Sequence, residues 1–68
     1  MEWINVKTRL PEGGHNVLFC THDGLVNEGN KEENGWIGYR WSVKYNDNEV
    51  THWMPLPKPP KYIMKDGD

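Results

Sequence analysis

The chain has 68 residues, with eight basic and ten acidic side chains for a formal net charge of -2. That length holds one domain at most, no apolar run of roughly 18 residues is present to cross a membrane as a helix, and a single cysteine cannot build an internal disulfide framework. Met1-Glu2 opens neither a basic nor an apolar stretch, so no signal peptide is expected. A chain this short buries only about 60% of the surface its unfolded form exposes, so its core must draw on four Trp, three Tyr and one Phe.

Trp3-Ile4-Asn5-Val6 alternates β-branched and other residues, which predicts a short strand over 3–6. Pro11 ends it and Gly13-Gly14 reads as a turn. Val17-Leu18-Phe19-Cys20 is a continuous apolar run, which predicts a central strand over 16–22. Asp23-Gly24 then marks a hairpin, because both residues reach positive φ, and 25–28 is the returning strand. Gly29 to Gly35 reads as a polar loop. From Gly35 to Tyr45, Ile37, Tyr39, Trp41, Val43 and Tyr45 alternate with Gly38, Arg40, Ser42 and Lys44. That pattern predicts one long half-buried strand with Trp41 in the core. Asn46-Asp47-Asn48 is a turn, and 49–54 is the last strand.

Pro55-Leu56-Pro57-Lys58-Pro59-Pro60 favours polyproline II. It is expected to fold back so that Leu56 and Pro57 cover Trp3 and Trp53; the alternative is a PxxP ligand for another domain. Residues 1–60 then form the domain and 61–68 a polar tail. The fold class is all-β: a five-stranded antiparallel meander, either a small SH3-like barrel or a strongly bent sheet, capped by the proline segment.

Two stretches carry a resemblance. Trp3-Ile4-Asn5-Val6-Lys7-Thr8-Arg9-Leu10-Pro11 resembles the pattern W-I-x-V-x-x-R-L-P, and Thr51-His52-Trp53-Met54-Pro55-Leu56-Pro57-Lys58-Pro59-Pro60 resembles T-H-W-M-P-L-P-x-P-P. Together they are similar to a family of small domains of unknown function from phages, prophages and bacteria. Val17-Leu18 and Gly35-Trp36 fit pairs seen between those motifs. The resemblance implies a phage or prophage context and a cytoplasmic setting, that of the host cell for a phage-encoded chain. It implies no activity, cofactor or catalytic residue.

The residues themselves offer little chemistry. Cys20, His22 and His52 are soft ligands on strands, but no Cys-x₂-Cys or His-x₃-His spacing accompanies them, so no metal site is assigned. Cys20 lies in an apolar run, where burial keeps a thiol inert, and no catalytic residue is assigned either. The tryptophans are the strongest signal. Trp3, Trp36 and Trp53 fall on the faces opposite the main apolar pattern. With Arg40 they are the candidate binding residues, Trp36 foremost because it adjoins the polar loop. The expected function is a non-enzymatic binding module for a protein partner, without cofactor. The alternatives are a nucleic-acid binder using Arg40, Lys44 and Lys58 beside exposed aromatics, and a small metal-binding protein.

Overall fold

A computed structural model describes residues 2–57. Six strands form one sheet: β1 (Ile4–Asn5), β2 (Val17–Thr21), β3 (Val26–Lys31), β4 (Trp36–Gly38), β5 (Val43–Tyr45) and β6 (Val50–Pro55). A single 3₁₀ turn, Asp47–Glu49, precedes β6. The order across the sheet is β1-β6-β2-β3-β4-β5, with every neighbouring pair antiparallel. The fold class is therefore all-β, as the alternation predicts. The topology is not a plain meander, because β6 returns to lie between β1 and β2. The outer strands β1 and β5 do not pair, so the sheet is not closed into a barrel.

The apolar run of β2 is central, as expected, with β3 on one side and β6 on the other. The Asp23-Gly24 hairpin also forms: Gly24 has φ 92°, its N–H donates to Thr21 O at 3.0 Å, and Thr21 N–H donates to Leu25 O at 2.9 Å. Strand β3 then runs to Lys31, through residues expected as loop. Polar side chains do not prevent pairing when the backbone finds partners on both sides. Gly29 shows how tight that pairing is. A Cβ there would stand 1.8 Å from the Ile37 carbonyl oxygen and 2.9 Å from Phe19 Cε2.

The long strand expected over 35–45 is instead a hairpin, and this correction accounts for the sixth strand. Trp36 pairs with Tyr45 and Gly38 with Val43, leaving Tyr39–Ser42 as the loop. Ser42 takes φ 54°, in the left-handed region that closes the turn. The physical gain is burial. Directly paired residues share a face, so reversal places Trp36 and Tyr45 together against Phe19. Ring centroids lie 5.1 Å apart for Phe19–Trp36 and 5.7 Å for Phe19–Tyr45. An extended strand of eleven residues would span about 35 Å and separate the two rings.

The core is Val17, Phe19, Trp36, Val50 and Trp53, with Ile4, Val6 and Tyr45 packed against it. The expected assignment of tryptophans is thus inverted. Trp36 is 1% exposed and Trp53 5%, whereas Trp41 is 75% exposed. Trp53 pairs with both Ile4 and Phe19, which puts it in the middle of the buried face. Its indole Nε1 donates to Arg9 O at 2.8 Å, and the Arg9 guanidinium lies 5.6 Å from its ring centroid. Pro55 belongs to β6 opposite Val17, and Leu56 and Pro57 border a hollow with Glu2 and Met54. The remaining prolines, Lys58 and the tail 61–68 lie outside the described residues.

Candidate functional site

The β4–β5 hairpin ends in Tyr39-Arg40-Trp41-Ser42. Trp41 is the most exposed large hydrophobic side chain among the described residues at 75%, and Tyr39 is 42% exposed. The Arg40 guanidinium carbon sits 5.7 Å from the Trp41 ring centroid, a cation–π arrangement that orients both side chains. The loop is held to its scaffold at two points. Tyr39 N–H donates to Glu28 O at 2.9 Å. The Tyr39 hydroxyl oxygen lies 2.6 Å from Asn16 Oδ1 and 2.6 Å from Asn30 Oδ1, donating to one at a time. Tyr39 is therefore half anchor and half surface. Below the loop, Val26, Asn27, Glu28, Tyr39 and Arg40 line a groove of about 400 Å³.

Of the four candidate residues read from the sequence, Arg40 alone reaches this cluster. Trp36 and Trp53 are core residues without an accessible ring. Trp3 is 42% exposed but lies on the other edge of the sheet, where it borders a hollow of about 140 Å³ with Cys20 and His52. Trp41 and Tyr39 were missed because their alternation with Ile37 and Val43 imitates a buried strand face. The turn signal was Gly38, four residues before a Ser that takes positive φ, and it is weaker than Asn-Gly or Asp-Gly.

Two lysines elsewhere on the sheet are engaged in ion pairs. Lys44 Nζ is 2.7 Å from Glu32 Oε1, and Lys31 Nζ is 3.2 Å from Asp47 Oδ1. The first of these places a carboxylate against Lys44, which an incoming phosphate would have to displace. Cys20 and His52 are direct cross-strand partners. His22 lies beyond the irregularity at Cys20/Thr21, where its N–H donates to Glu49 O. No group of three or more His, Cys, Asp and Glu side chains gathers among the described residues. The Asp23 carboxyl is held below the usual carboxylate range, chiefly by the hydrogen bond from the Thr21 hydroxyl. That is a turn-stabilising contact of an exposed group, and it activates nothing.

A family profile described as "Protein of unknown function (DUF551)" matches residues 2–61. The chain belongs to the DUF551 family. It is also 32% identical, over 72 aligned positions, to the uncharacterized 7.8 kDa protein in the ral-gp17 intergenic region of Salmonella phage P22. That match covers 88% of this chain and 97% of the phage protein. No solved structure matches the chain. The two stretches that carry the resemblance to such phage domains meet in the DUF551 fold: Ile4 pairs with Trp53, Asn5 pairs with His52, and Trp53 bonds Arg9. Their role is to join the chain's first and last strands into one sheet edge. The aromatic tip of the hairpin lies between them in sequence, at the opposite end of the sheet.

Proposed function

We propose that this DUF551 chain is a non-enzymatic, phage- or prophage-encoded binding module that engages a protein partner in the host cytoplasm through Tyr39, Arg40 and Trp41. One observation carries the reading: an indole 75% exposed to water at the tip of an anchored hairpin. Leaving a Trp in water forfeits about 1.5–3 kcal/mol of burial that the fold could have taken. Among the described residues its cation–π partner is Arg40, which is itself exposed. Trp, Tyr and Arg are also the side chains that dominate binding hot spots, and here they are consecutive.

The test is capture from bacterial lysate on immobilised wild type beside the Trp41→Ala and Arg40→Ala variants, with quantitative mass spectrometry. A protein retained by wild type and lost by both variants supports the reading. Retention by all three would remove the hairpin from the interface. The Arg40–Trp41 stack also favours a second reading, single-stranded nucleic acid stacked on the indole. The formal charge of -2 and the engaged Lys44 weigh against it. A labelled oligonucleotide in low salt decides it, since binding driven by phosphate contacts weakens steeply as salt rises.

A further inference from the structure

We propose that the groove beneath the hairpin receives an extended peptide segment of the protein partner, paired along the free part of β3, with one peptide carbonyl accepting from Asn27 Nδ2. The proposal rests on the reading that the hairpin tip binds a protein, and it names what that protein presents. Three observations lead to it.

First, β3 outruns its neighbour. Strand β4 pairs with Gly29, Asn30 and Lys31 only, so Val26–Glu28 has a strand on its β2 side and none on the other among the described residues. The Thr21–Leu25 hydrogen bond sets the ladder's phase. Alternation then turns the backbone groups of Asn27 toward β2 and those of Val26 and Glu28 toward the groove. Glu28 O is already used there, accepting from Tyr39 N–H at 2.9 Å. The backbone groups of Val26 and the Glu28 N–H make a short template for strand addition.

Second, the Asn27 amide nitrogen is buried and has no hydrogen-bond partner, alone among buried side-chain nitrogen and oxygen atoms of the described residues. Buried polar groups are nearly always satisfied, and Asn27 lines the groove, so turning its buried amide outward would give the orphan donor an acceptor there. The amide lies beside Gly38, whose missing Cβ would stand 3.4 Å from Asn27 Oδ1.

Third, the lining selects the kind of acceptor. Glu28 and Arg40 bring one negative and one positive charge, and Val26 and the Tyr39 ring are apolar. A free anion drawn to Arg40 would meet the Glu28 carboxylate. A peptide unit carries no net charge, offers an acceptor to Asn27 and a donor to a backbone carbonyl, and can place an apolar side chain against Val26 and Tyr39. The volume of about 400 Å³ is in the range of small ligand sites.

The experiment is selection of a random-peptide display library on the immobilised full chain, followed by fluorescence anisotropy with the labelled winning peptide. Asn27→Asp keeps the side chain's shape and removes its donors. Its affinity is expected to fall at least about tenfold, or about 1.4 kcal/mol, with amide exchange of Val26 and Glu28 slowed in the wild-type complex. A library without binders, or equal binding to Asn27→Asp with unchanged exchange at Val26 and Glu28, overturns the proposal. Loss of binding in Trp41→Ala but not in Asn27→Asp would leave the hairpin reading standing and remove the groove. Should Asn27→Asp fail to fold, the exchange of Val26 and Glu28 in the wild-type complex decides alone.

Discussion

Exchanging which tryptophan is removed separates the core from the surface. Trp36 is 1% exposed, its ring centroid is 5.1 Å from that of Phe19, and it pairs with Tyr45 on the buried face. Cutting it to Ala loses transfer energy and leaves a cavity among rings, a cost of about 3–5 kcal/mol. A small domain has on the order of 5 kcal/mol of stability in all. At about 4–8 °C of melting temperature per kcal/mol, Trp36→Ala is expected to melt at least about 12 °C below wild type or to be unfolded at room temperature. Trp41 is 75% exposed and stacks with the exposed Arg40, and a surface change of that kind stays within about 0.5 kcal/mol. Trp41→Ala is therefore expected to melt within about 4 °C of wild type. Thermal melts followed by far-UV circular dichroism check both, and acrylamide quenching of indole fluorescence adds a second readout. Removing Trp41 should delete the most accessible fluorophore and lower the average quenching. A large drop for Trp41→Ala with a mild effect of Trp36→Ala would refute the hairpin. It would restore one continuous strand from 35 to 45.

Three further substitutions probe separate links. Gly29→Ala drives a methyl group to 1.8 Å from the Ile37 carbonyl, backbone that cannot yield without breaking β3–β4 pairing; we expect a loss of at least about 3 kcal/mol in urea unfolding. Thr21→Val removes the main cause of the lowered Asp23 carboxyl pKa. A lowered folded value stabilises above the ordinary carboxylate range and is lost as pH falls through the folded value. The variant should therefore lose less stability than wild type across that acid range, measured by melting temperature against pH. Tyr39→Phe deletes the hydroxyl shared with Asn16 and Asn30 while keeping the ring. We expect a cost of about 1 kcal/mol and faster amide exchange at Arg40, Trp41 and Ser42, with exchange in β2 unchanged.

How much of this was legible depends on what each signal encodes. The β2 strand and the Asp23-Gly24 turn were readable because a compact apolar run and a left-handed turn residue are local facts. The pairing of first and last strands was not, because β1 and β6 meet through contacts more than forty residues apart, as in the bond from Trp53 to Arg9. The 35–45 segment misled for a different reason. Period two is a property of one strand face, and a hairpin with a four-residue loop preserves the alternation while reversing the chain. Trp36, Tyr45 and Gly38 then share the inner face by cross-strand pairing. Trp41, in phase with Tyr45 in the sequence, sits where no sheet exists to bury it. The candidate residues inherited that inversion: Trp36 and Trp53 were assigned outward and lie inward, and Arg40 survived because a charged tip residue is exposed on either topology.

The same geometry argues that tip and core are separable. Stability resides where β2, β6 and β4 bring Phe19, Trp53, Val17, Val50 and Trp36 together, a core that includes no residue of the hairpin loop. The loop hangs from that sheet by the last β4–β5 pair, by Tyr39 N–H on Glu28, and by the Tyr39 hydroxyl near Asn16 and Asn30. All three attachments act through backbone or through Tyr39, so the identities at 40 and 41 are free of folding constraint. An Arg and a Trp at such positions cost the fold nothing to replace by Lys and Ser, residues that would be more soluble there. Under the proposed binding role, Arg40 and Trp41 have their use outside the chain.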